Sequence, residues 1–131
     1  MKKIAFALLL IVIASSFSPV QTLKGTWRYI GGIYNGKKEG PTKQYTLQRK
    51  YTDATFDAYV VEKENKSEKY QSGYYTLKND SCIETETFSS QPSKLTNVPV
   101  HYRYVVRHDS LILTGKLPTG MVVEEYWKKQ K

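Results

Sequence analysis

Leu23-Lys24-Gly25-Thr26-Trp27-Arg28-Tyr29 follows directly on an apolar leader, and Glu124-Glu125-Tyr126-Trp127-Lys128 lies close to the other end of the chain. Each stretch carries one of the two tryptophans. If the two are neighbouring strands, the sheet between them closes on itself. The residues in between read almost entirely as strand and turn. Eleven tyrosines, many Thr and Val, and turn signals at short intervals form an all-β pattern with almost no helical period.

Eight strands are expected. The first covers residues 23–34, with Gly31-Gly32 allowing a bend or bulge. The loop NGKKEGPT leads to a second at 43–51, where Tyr45, Leu47 and Tyr51 share one face and Gln44, Thr46, Gln48 and Lys50 the other. A third, 55–62, puts Phe56, Ala58 and Val60 in register. After the charged tip KENKSE comes a fourth at 69–78. Asn79-Asp80 turns the chain into a fifth at 81–88. Residues 89–97 form the longest irregular link, with room for one helical turn. The sixth strand, 98–107, alternates Val100, Tyr102, Tyr104 and Val106 against His101, Arg103, Val105 and Arg107. His108-Asp109 and Pro118-Thr119-Gly120 then turn the chain into the seventh and eighth, 111–117 and 121–129. Sequential strands with short links predict an eight-stranded antiparallel up-and-down β-barrel. Closure removes both exposed edges and leaves an interior sized for side chains or one small ligand.

The leader sets the expected compartment. Lys2 and Lys3 precede an apolar run over 4–14, followed by the small residues Ala14, Ser15, Ser16 and Ser18. This is the plan of a secretory signal peptide, and the run is short for a membrane span. The expected organisation is a signal peptide over 1–18 and one barrel domain over 19–131. The mature protein is then periplasmic or secreted, a monomer with no membrane span. Losing Lys2 and Lys3 takes the net charge from +8 to +6. Basic residues are scattered among acids, where a nucleic-acid footprint would be clustered, so no nucleic-acid partner is expected. Cys82 is the single cysteine. It therefore forms no internal disulfide and reads as a small buried hydrophobe.

Gly25-Thr26-Trp27 resembles the Gly-x-Trp signature of lipocalins and their relatives. SGYYTLKNDSCIETETF and LTGKLPTGMVVEEYWKK resemble, in the same order, further strands of the compact lipocalin-like domains that Gram-negative gut bacteria export. The resemblance implies that Trp27 plugs the closed end of the barrel, with Gly25 allowing close backbone approach. Trp127 and a lysine from the last strand complete the plug. Larger lipocalins place an arginine on a helix after the barrel, whereas here Lys128 or Lys129 must supply that cation, with Lys128 the first choice.

Catalytic motifs are missing from the reading. No hydrolase nucleophile elbow, phosphate-cradling loop or zinc-finger spacing occurs. His101 and His108 are an odd number of residues apart and fall on opposite faces of a straight strand, so no metal site and no cofactor is expected. Glu84 and Glu86 share a face with Cys82 and Phe88. Such carboxylates are usually solvated. If that face turns inward, Arg103 is the expected partner, in an interior ion pair or a polar anchor for a ligand.

The expected function is binding, not catalysis. A small apolar or amphipathic molecule would sit in the barrel among Tyr45, Leu47, Phe56, Tyr75, Leu77, Tyr102, Tyr104 and Val123, entering at the end opposite Trp27. The alternative is a filled barrel that acts through its surface on envelope components or glycans.

Overall fold

The computed structural model describes residues 22–131. The leader expected over 1–18 lies outside the described residues. Among the described residues nine antiparallel strands form: β1 (Gly25–Tyr34), β2 (Lys37–Glu39), β3 (Tyr45–Tyr51), β4 (Thr55–Glu62), β5 (Ser67–Lys78), β6 (Ser81–Ser89), β7 (Pro99–Arg107), β8 (Ser110–Lys116) and β9 (Val122–Lys129). From β3 to β9 each strand pairs with the next, and β1 pairs with both β3 and β9. The result is a closed eight-stranded antiparallel barrel with β2 outside the ring. The closing seam sets Trp27 opposite Lys129, Tyr29 opposite Trp127 and Tyr34 opposite Val123. The two stretches at the ends of the chain therefore do meet.

The extra strand comes from Asn35-Gly36, within the stretch NGKKEGPT expected to form a loop. Both residues have positive φ, 51° and 84°, as the first and second positions of a tight type I′ hairpin require. The hairpin folds β2 back on the upper end of β1, with Gly32 opposite Glu39. Asn35 also ties the turn to β9: its backbone N–H donates to the Val122 carbonyl, and its Oδ1 accepts from the Val122 N–H, each at 2.8 Å. The link over 89–97 forms no helical turn. A short 3-10 turn lies instead at Lys63–Asn65, within the charged tip.

Three register shifts shape the barrel, one of them between β4 and β5 at Ala58 and Tyr59. In β1 the register against β9 shifts between Tyr29 and Gly31, a bulge that sharpens the local twist. In β6 a shift between Glu86 and Phe88 turns Phe88 outward, where it is 43% exposed. That is why Phe88 does not share the face of Cys82, Glu84 and Glu86. Gly73 opposite this bulge has no room for a side chain, because a methyl group there would run into the Thr85 carbonyl oxygen.

The core fills the end of the barrel nearest Gly25, here called the floor. Leu23, Trp27, Tyr51, Phe56, Tyr75, Cys82, Leu111, Leu113 and Trp127 are buried together. The Tyr75 hydroxyl fastens this end: it donates to the Thr52 carbonyl at 2.6 Å and accepts from the Leu23 N–H at 3.1 Å. Among the described residues no helix is long and apolar enough to cross a membrane.

Candidate functional site

The floor is built around Trp27, which is 2% exposed. Its indole N–H donates to the Leu23 carbonyl at 2.8 Å, closing the N-terminal segment over the ring. Gly25, with φ of +137°, leaves the space in which the Lys129 stem passes. Lys129 Nζ lies 5.7 Å from the ring centroid. The stacking cation is thus Lys129 and not Lys128. Lys128 sits opposite Arg28 on the outward face of the seam and is exposed, because strand alternation turns the two lysines to opposite sides.

Above the floor lies a charged cluster. Arg49 and Glu84 form an ion pair with Nη1 at 2.8 Å and 2.9 Å from the two carboxylate oxygens, both residues buried. The Tyr51 hydroxyl accepts from Arg49 Nη1 at 2.8 Å and donates to Glu84 at 3.1 Å. Gln71 Oε1 accepts from Arg49 Nη2 at 3.2 Å. The guanidinium also lies 4.8 Å from the Phe56 ring centroid and 5.5 Å from that of Trp127. Burial alone would lower the proton affinity of Arg49, but the Glu84 carboxylate, with smaller contributions from Tyr51, Glu125 and Tyr70, more than offsets it, so the group stays charged. Among the described residues two buried donors, Arg49 Nε and Trp127 Nε1, have no protein acceptor.

The two glutamates on β6 do face inward. Arg103 is not their partner, because it lies on the outward face of β7 and pairs on the surface with Asp80 at 3.1 Å. Arg49 takes its place. Glu86 serves a different purpose: it accepts from Gln71 at 2.9 Å, Ser93 at 2.6 Å and Thr96 at 2.9 Å, which pins the long 90–98 link to the wall. Cys82 is wholly buried, and burial followed by the Glu84 charge pushes its thiol well above the ordinary range, so it is no nucleophile.

Burial likewise raises the hydroxyls of Tyr51, Tyr70 and Tyr102 above the ordinary tyrosine value of 10.0, with Arg49 opposing the shift. For a raised acid the contribution to stability is fully present below pH 10.0 and is lost as pH rises through the folded values. Three such groups are expected to remove up to about 4 kcal/mol per pH unit in that window. Urea midpoints measured at neutral pH and above pH 10, with tyrosinate absorbance followed alongside, check this. A midpoint unchanged through the window while the three tyrosines ionise refutes it.

At the mouth, opposite the floor, the wall divides. Gly25 to Arg28 of β1 pair with β3, but Gly32 to Tyr34 pair with β2 instead. Tyr45 to Leu47 of β3 therefore pair only with β4. A cavity of about 160 Å³ opens in this split, lined by Tyr29, Tyr34, Glu39, Thr42, Tyr45 and Leu47, with Gly40 and Pro41 at its edge. That volume is of the order that takes one aromatic ring. A hydrogen-bond chain borders it. The Tyr29 and Tyr34 hydroxyls are 2.8 Å apart, and Tyr34 donates to Glu125 Oε2 at 2.9 Å. Gly32 makes room for the two rings, since a methyl group there would lie 2.8 Å from the Tyr34 hydroxyl.

Of the expected lining, Tyr45 and Leu47 border this cavity. Phe56, Tyr75 and Tyr104 are buried in the core, Leu77 and Tyr102 are half-buried against it, and Val123 is buried opposite Tyr34. Sequence reasoning missed Arg49, although it shares the parity of Tyr45, Leu47 and Tyr51. It also missed Glu125, which shares the parity of Val123 and Trp127. Neither the scan of protein-family models nor the search of curated proteins matches this chain.

Proposed function

We propose that the protein is an exported lipocalin-like binding barrel, not an enzyme, that holds a small, partly apolar molecule at its mouth. The cavity in the split between β1 and β3 carries this reading. It offers ring faces and the Leu47 side chain for apolar contact, and tyrosine hydroxyls to orient a polar end. The leader supports release into the periplasm or beyond, and the plugged floor leaves the mouth as the route of access.

A ligand of about ten heavy atoms in such a site is expected to bind at about 10–500 μM. Protein NMR titration with small aromatic fragments measures this, with shifts expected at Tyr29, Tyr34 and Leu47. Leu47→Trp fills the cavity and should weaken binding more than tenfold while circular dichroism stays that of the barrel. Equal binding by the variant sinks the reading. The surface reading then takes over, on exposed side chains such as Tyr74, Phe88 and Val105.

A further inference from the structure

The barrel sorts charge by sign. The chain has 20 Lys and Arg against 12 Asp and Glu, yet its interior reverses that balance. Among the described residues the buried charged side chains are Arg49, Glu84 and Glu86. Glu125, half-buried, joins them on the inward face of β9 between Val123 and Trp127. Arg49 is ion-paired with Glu84, and its charge also acts on Glu125 from further away. Glu86 is held by neutral donors and Glu125 by the Tyr34 hydroxyl. Among the described residues neither Glu86 nor Glu125 forms an ion pair, and the exposed Glu39 borders the mouth cavity.

We propose that the mouth cavity takes a small organic cation, an ammonium group carried on a single ring or short aliphatic body. This rests on the reading of that cavity as the ligand site. Tyr29, Tyr34 and Tyr45 supply ring faces whose negative quadrupole attracts a cation. Their hydroxyl oxygens accept hydrogen bonds from an ammonium. Glu39 at the rim and Glu125 behind Tyr34 set a negative potential across a space of about 160 Å³. The charges of both carboxylates act on the Tyr29 hydroxyl, which burial first holds protonated, with the Tyr34 hydrogen bond opposing and Glu125 and Glu39 adding to the shift.

Two features oppose this reading. Lys37 shares the inward side of β2 with Glu39, but it is exposed at the hairpin tip and does not line the cavity. Arg49 Nε and Trp127 Nε1 are donors that favour an acceptor, but neither residue lines the cavity either. The groups that do line it favour a cation.

The test uses three probes of one shape and different charge: phenethylammonium, phenethyl alcohol and hydrocinnamate. Each is titrated into the mature protein at neutral pH and low salt, with NMR shifts at Tyr29, Tyr34 and Leu47 as the readout. The ammonium should bind about tenfold tighter than the alcohol. Glu39→Gln, which removes the charge of an exposed side chain and keeps its shape, should weaken the ammonium about three- to fivefold more than it weakens the alcohol. If the alcohol or the carboxylate binds at least as tightly as the ammonium, and Leu47→Trp abolishes that binding, the cavity is the ligand site but the cation assignment is wrong. Equal weakening of all three by Glu39→Gln also overturns it. If none of the three shifts those residues, the cavity reading falls with it.

Discussion

Glu84→Ala is expected to destabilise the barrel by about 3–5 kcal/mol, the usual range when one partner of a buried ion pair is removed. The reason is what stays behind. Arg49 keeps its charge in a site that is 7% exposed, with rings of Phe56, Tyr51 and Trp127 around it. The Tyr51 hydroxyl loses its acceptor at the same time. Glu84→Gln keeps the shape and one acceptor oxygen, so it should cost less than the alanine variant. The double variant Arg49→Met with Glu84→Leu removes both charges and refills the volume with apolar atoms. It should recover most of the loss, because buried pairs replaced by well-packed hydrophobic residues are often neutral. Urea unfolding followed by tryptophan fluorescence reads all three. A Glu84→Ala cost under about 1 kcal/mol, or a double variant less stable than Glu84→Ala, shows that the pair is not the buried centre described here.

The same pair shows what the sequence carries and where reading it stops. Alternation over 43–51 and 98–107 is regular, and a period of two translates directly into faces of a strand. Eight strands and their closure were therefore legible, since only a closed ring leaves no strand edge bare. The inward face of β6 was not. A strand bearing Cys82, Glu84 and Glu86 reads as solvated when each carboxylate is priced alone. The partner that makes burial tolerable, Arg49, lies 35 positions away and three strands across the sheet. No local pattern links the two. Three misses, by contrast, were local. Asn35-Gly36 is a strong hairpin signal, Arg49 has the parity of Leu47 and Tyr51, and Glu125 has that of Val123 and Trp127. The split mouth follows from the first of these: the hairpin places β2 where the upper part of β3 would otherwise pair.

The floor admits the other large effect. Trp27→Ala is expected to cost about 3–5 kcal/mol, as for other large buried aromatic side chains. Three interactions converge on the ring. It is 2% exposed within the core, its N–H holds the Leu23 carbonyl at 2.8 Å, and Lys129 Nζ lies 5.7 Å from its centroid. Graded variants separate them. Lys129→Ala removes the cation and the stem that passes over Gly25 and should cost about 0.5–1 kcal/mol. Trp27→Phe keeps an apolar ring but leaves the Leu23 carbonyl unsatisfied and part of the volume empty, for about 1–3 kcal/mol. The order Lys129→Ala, Trp27→Phe, Trp27→Ala is thus one of rising cost. Because floor and mouth lie at opposite ends of the barrel, Trp27→Phe should leave the NMR titration of the mouth cavity unchanged. A Trp27→Ala cost under about 1 kcal/mol refutes the plug. A Trp27→Phe variant that folds but has lost binding at the mouth refutes the separation of the two ends.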